Sequence, residues 1–132
     1  MTKHVIIPAH DERVIVDIEI PRPGRAKSLR FKAARLDFQP AELVTRYAED
    51  YAKLRNWVEA VTSGKDADEL PERPLVGGEH EFDHPLGWWA YALEMPDAEA
   101  INNLTAGERD QVWRIWEEAA ETPVGESSAS SD

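Results

Sequence analysis

The residues best equipped for chemistry stand together in the run Glu79-His80-Glu81-Phe82-Asp83-His84. Two imidazoles four apart, with carboxylates on hand, could share a cation if the segment were helical. Gly77, Gly78 and Pro85 bracket the run, however, and point to a loop, where spacing alone fixes no ligand geometry. The expected role is therefore a polar loop in which Asp83 or His84 caps the helix that follows. Asp83 and His84 also make a poor acid–base dyad, because adjacent residues on a strand or helix point apart. A nucleophile is equally hard to find. Ser127, Ser128, Ser130 and Ser131 have no partner base, and Gly77-Gly78 matches neither a Walker loop nor GxGxxG. No catalytic residue, metal or cofactor is assigned, and the chain reads as a non-enzyme.

Aromatic rings are the second chemical feature. Trp88, Trp89, Trp113 and Trp116 lie within thirty residues of one another. Rings at helical spacing normally belong to a core. Trp88 and Trp89 cannot both face one direction, so at least one is a candidate for a subunit or partner surface. Trp88, Trp89, Trp113 and Trp116, with Tyr91, are accordingly the candidate partner-binding residues. Acids rather than Lys and Arg surround them, which argues against stacking on nucleic-acid bases.

Composition narrows the setting. The chain has 132 residues, a size for one domain, and 42% of them are hydrophobic, enough for a core. The absence of cysteine excludes disulfides, thiolate metal sites and a Cys nucleophile, and fits a reducing cytoplasm. No apolar run is long enough to cross a bilayer, and the Met1-Thr2-Lys3-His4 start lacks the apolar stretch of a secretory signal. The net charge is -11 and uneven: residues 1–39 carry 8 Lys and Arg against 5 Asp and Glu, so the remainder holds -14. An acidic surface of this kind repels nucleic acid and anionic lipid, and favours a basic or apolar protein partner.

The elements follow from periodicity. Val14, Val16, Ile18 and Ile20 alternate with Arg13, Asp17 and Glu19, the pattern of a half-buried strand, and Pro21-Arg22-Pro23-Gly24 then makes a turn. A second strand starts at Ser28. Its apolar parity changes from Leu29, Phe31 and Ala33 to Ala34, Leu36 and Phe38, which predicts a bulge near Ala33-Ala34. His4-Val5-Ile6-Ile7 is a candidate third strand. From Pro40, the residues Leu43, Val44, Tyr47, Tyr51, Leu54, Trp57, Val58 and Val61 form one apolar arc of a helix that Gly64 ends. A loop rich in acids and prolines covers 65–82. A Trp-bearing helix follows, closed by Pro96, and one further helical turn leads to Thr105. The last helix opens on a capping box, Thr105 with Glu108, and must stop before Pro123. The expected fold is α+β: a small N-terminal antiparallel β element over 4–38, packed on about three helices at about 40–63, 84–95 and 105–121. These form a single domain over 1–124, followed by a flexible Ser-rich tail at 125–132.

One ordering of features is specific enough to resemble a known family. The passage Ala34-Arg35-Leu36-Asp37-Phe38-Gln39-Pro40-Ala41-Glu42 leads from the β segment into a helix. Later, Leu104-Thr105-Ala106-Gly107-Glu108 opens a last helix bearing Trp116, and the chain leaves through Gly125-Glu126-Ser127-Ser128-Ala129-Ser130. Together these resemble the tail assembly chaperones of long-tailed (siphovirus-type) bacteriophages or prophages of actinobacteria. The resemblance implies a non-enzymatic chaperone in the host cell cytoplasm. It would bind the long apolar tape measure protein, keep it soluble, act as a homo-oligomer, and give way to tail tube protein. It also implies a frameshifted longer product, for which the tail at Gly125 would be a sensible junction. Two other classes fit parts of the sequence: a small acidic adaptor or regulator that binds a basic protein, and a metal-dependent enzyme using His80 and His84.

Overall fold

The computed structural model describes residues 4–124, so the tail expected at 125–132 lies outside the described residues. The fold is α+β, with strands β1 (Ile15–Ile20), β2 (Leu29–Ala34), β3 (Leu75–Val76) and β4 (His80–Glu81). Its helices are α1 (Ala41–Thr62), α2 (Pro85–Ala92), α3 (Ala98–Asn102) and α4 (Ala106–Ala119). Contacts group the chain into two compact units, one made of residues up to Gln39 with those from Asp110 onward, the other of Pro40–Arg109.

In the first unit, alternation does what the sequence asks of it. β1 and β2 pair antiparallel, with Ile15 opposite Ala34 and Ile20 opposite Leu29. Val14, Ile18, Ile20, Phe31 and Ala33 are buried on one face. The bulge expected near Ala33-Ala34 does not form, since the register runs unbroken to Ala34 and Arg35 N–H continues it by donating to Val14 at 2.8 Å. The inward parity is Phe31, Ala33 and then Arg35. Leu36 and Phe38 leave it because Leu36–Phe38 is a turn of 3-10 helix, whose side chains no longer alternate. The third strand expected at His4-Val5-Ile6-Ile7 is also absent. Val5 and Ile6 are exposed, and Pro8 next to them has no N–H to give to a ladder.

Trp116 of α4 packs edge-on against Phe31 with ring centroids 5.0 Å apart. Its indole N–H donates to the Ala34 carbonyl at 3.0 Å, which satisfies the one polar atom of a fully buried ring. Buried Arg35 completes this unit. Its guanidinium holds Asp37 with two donors at 3.0 and 2.9 Å, and donates at 2.9 Å to the Ala120 carbonyl just beyond α4. Carbonyls at a helix end lack helical partners, so a cation placed there satisfies one of them and complements the helix dipole.

The second unit is built on α2. Of the two caps expected, Asp83 or His84, it is His84 that serves, with Nδ1 accepting the Leu86 N–H at 3.0 Å, and Pro85 occupies the first helical position. Of its 8 residues, Leu86, Gly87, Trp88, Trp89 and Ala90 are buried. Gly87 leaves room for Asn102: a Cβ would lie 2.0 Å from Oδ1 of Asn102, whose Nδ2 is tied to the Glu81 carbonyl at 3.1 Å, so any larger residue must displace that side chain. α2 ends on a doubly bonded C-cap, with Glu94 N–H to Tyr91 and Met95 N–H to Ala90, both at 3.0 Å. Glu94 therefore takes the left-handed position, φ 53°, that glycine usually fills. α1 ends the same way with the expected glycine, as Gly64 bonds Val61 and Lys65 bonds Ala60. The capping box that opens α4 is present in both directions, Thr105 N–H to Glu108 Oε1 at 3.1 Å and Glu108 N–H to Thr105 Oγ1 at 3.2 Å.

Candidate interaction surface

The aromatic residues singled out in the sequence fall mostly inside. Trp88, Trp89 and Trp116 have no exposed surface, while Trp113 and Tyr91 are half-buried. Trp88 and Trp89 meet edge-on at 4.9 Å, Tyr47 of α1 touches both at 5.2 Å, and the Trp88 indole donates to Asp50 at 2.8 Å. Adjacent helical residues do point apart. Tyr47 lies against both rings, which is the outcome that spacing alone could not reveal. Trp113 leans on Trp116 at 5.8 Å. Trp88 and Trp89 thus belong to the core of the second unit and Trp116 to that of the first.

The histidine run is likewise divided among separate tasks. His80 lies on β4 with its ring parallel to that of Tyr91, 4.2 Å away, beside a small cavity of about 270 Å³ lined also by Arg46, Glu79 and Glu94. His84 spends Nδ1 on the α2 cap, and Asp83 is paired with Arg109. Among the described residues, no group of three or more His, Cys, Asp or Glu side chains comes together as a metal site. A carboxylate with a clear shift is Asp11, far from this run in sequence. The Arg13 guanidinium bonded to it, and then the Arg13 backbone N–H, hold it down to about 2.

Four of the exposed large apolar side chains lie on α1. The sequence placed eight residues of this helix in one apolar arc, and the structure buries only part of it. Leu54 is buried, and Leu43, Tyr47 and Trp57 are half-buried. Val44 (42%), Tyr51 (36%), Val58 (40%) and Val61 (43%) remain exposed. The reason is geometric. At 3.6 residues per turn the arc spans roughly 140°, and α1 is about 33 Å long whereas α2 is about 12 Å long. A short neighbour covers only one side of a wide stripe.

The exposed side is continuous. Val44, Ala48, Tyr51, Arg55, Val58 and Thr62 fall within about 40° of one line along the helix, while Glu42, Arg46, Glu49 and Lys53 occupy the other exposed side. Thr62 turns its hydroxyl back onto the carbonyls of Val58 and Glu59, at 2.9 and 3.2 Å, and so shows its methyl outward. Arg55 lies over the Tyr51 ring, 5.9 Å from its centroid. A shallow groove of about 450 Å³ runs along Tyr51, Leu54, Arg55, Val58, Glu59 and Thr62. A sequence signal for this surface existed in Ala48 and Thr62. They sit where a solvated helix face would ordinarily carry charge.

Comparison with protein-family models, curated proteins and solved structures gives no match. Among the described residues no helix is long and apolar enough to cross a membrane.

Proposed function

We propose that this chain is a non-enzymatic binding protein that shields an apolar helical segment of another polypeptide. The specific role is that of the family its sequence resembles, a tail assembly chaperone whose client is the tape measure protein. The observation that carries the reading is the exposed stripe of α1: a long apolar face, left uncovered in an acidic chain whose surface otherwise favours water. Fully burying one side chain of this size contributes about 1.5–3 kcal/mol. Three that are already partly covered, Val44, Tyr51 and Val58, would therefore give reversible binding, which suits a chaperone that must release its client to the tail tube. The acidic remainder keeps the complex soluble and directs binding toward apolar rather than anionic partners.

Co-expression with a tape measure protein tests this. The wild-type chain should raise the client's soluble fraction, and Tyr51→Glu with Val58→Glu should return it to the level without chaperone while the domain stays folded. Equal solubilisation by wild type and variant, or none by either, would remove the stripe from the function. A complex that forms but falls apart as salt is raised would favour the acidic adaptor instead.

A further inference from the structure

We propose that the loop joining β1 to β2, residues 21–28, is a docking surface for an acidic segment of another protein. The inference stands on this hairpin and is independent of α1 and its client. Charge along the chain is segregated. Acids outnumber cations 26 to 15 overall, yet residues 20–36 hold Arg22, Arg25, Lys27, Arg30, Lys32 and Arg35 with no acid among them. The strand and its exit use three of these. Arg35 is buried against Asp37, Lys32 stands opposite Asp17 in the ladder, and Arg30 stands opposite Glu19 and lies 3.4 Å from Asp17. The other three, Arg22, Arg25 and Lys27, fall in the loop beyond the last strand pair, Ile20 with Leu29, where no acid is interleaved with them.

The loop is built to present these cations. Its base is fixed, because Ile18, Ile20, Phe31 and Ala33 of the two strands are buried in the core of the first unit. Pro21 and Pro23 hold their φ angles, and Gly24 takes a left-handed turn at φ 68° that a side chain would resist. Arg25, Ala26, Lys27 and Ser28 are exposed, and Arg22 is half-buried. Like charges gathered on one loop repel each other, and an anion brought to them relieves that repulsion. A stiffened loop also loses less freedom when it binds. The kind of anion follows from the surroundings. A duplex carries a phosphate charge every 1.7 Å or so of its length, far more than this loop can match, and the rest of a chain of net charge -11 repels it. Residues 21–28 contain no aromatic ring on which a base could stack. A polypeptide, by contrast, can confine three or four carboxylates to about 10–13 Å of extended chain, and each guanidinium can take a carboxylate through two parallel bonds.

Fluorescence anisotropy of the full chain with a labelled oligoglutamate peptide tests this, beside an oligothymidylate of equal charge and vesicles containing phosphatidylserine. The peptide should bind, and its affinity should fall about tenfold or more between roughly 50 and 300 mM salt. Arg25→Glu with Lys27→Glu should weaken it about tenfold or more, and Arg25→Gln with Lys27→Gln by an intermediate amount, with circular dichroism unchanged because both positions are exposed. Lys53→Glu with Lys65→Glu makes the same change in net charge at exposed positions of the second unit and should alter the affinity by no more than about twofold. Equal losses from the two Glu pairs would assign the effect to net charge and overturn the inference. So would no binding of the peptide at low salt, or tighter binding of the oligothymidylate or the vesicles than of the peptide. None of these results bears on whether α1 holds a client.

Discussion

Helix α1 has 22 residues and buries two of them, while α2 has 8 and buries five. The two helices touch through Tyr47 and Asp50 of α1 against the paired tryptophans of α2. Their roles nevertheless divide oppositely. The short helix spends its large rings on the interior, so its sequence is apolar nearly all round, as a buried helix must be. The long helix needs only one side to meet α2. Its second side, from Val44 to Thr62, keeps Val44, Tyr51 and Val58 exposed. Size and aromaticity mark the core here. Length in excess of the neighbour marks the surface.

Substitutions should separate the two helices cleanly. Trp88→Ala or Trp89→Ala removes a wholly buried ring and leaves a cavity, so urea unfolding followed by circular dichroism should show a loss of about 3–5 kcal/mol. A loss near zero would mean that the rings are accessible after all. Gly87→Ala should cost about 1–3 kcal/mol, because Asn102 must swing away and give up its bond to the Glu81 carbonyl. The double variant Gly87→Ala, Asn102→Ala should recover part of that loss, which ties the cost to the clash. The smallest effect belongs to the α2 exit. Glu94→Gly relieves a left-handed residue and should stabilise the domain by up to about 1 kcal/mol, measured as a raised midpoint of urea unfolding.

Much of this architecture was legible in the residues. The β1 alternation, the Thr105–Glu108 box, the His84 cap and the Gly64 stop are all local, and each is satisfied within a few positions of where it is written. The expectations that failed depended on partners. A parity change at Ala33-Ala34 resembles a bulge until the 3-10 turn at Leu36 removes the later residues from the strand. His4-Val5-Ile6-Ile7 has strand composition but no strand beside it. The tryptophans were ambiguous for the same reason: a doublet must point two ways, and only the tertiary structure shows that Tyr47 and Asp50 are there to receive it. The eight residues of α1 form one apolar arc, but an arc says nothing about how much of its width a neighbour covers.

Hydrogen–deuterium exchange of the chain alone and with a tape measure segment bears most directly on where another polypeptide is held. New protection should appear in α1 over 44–62 and be absent from 85–92, whose amides are already sheltered in the core. Protection gained in 85–92 with α1 unchanged would contradict the account and return the binding role to the tryptophans.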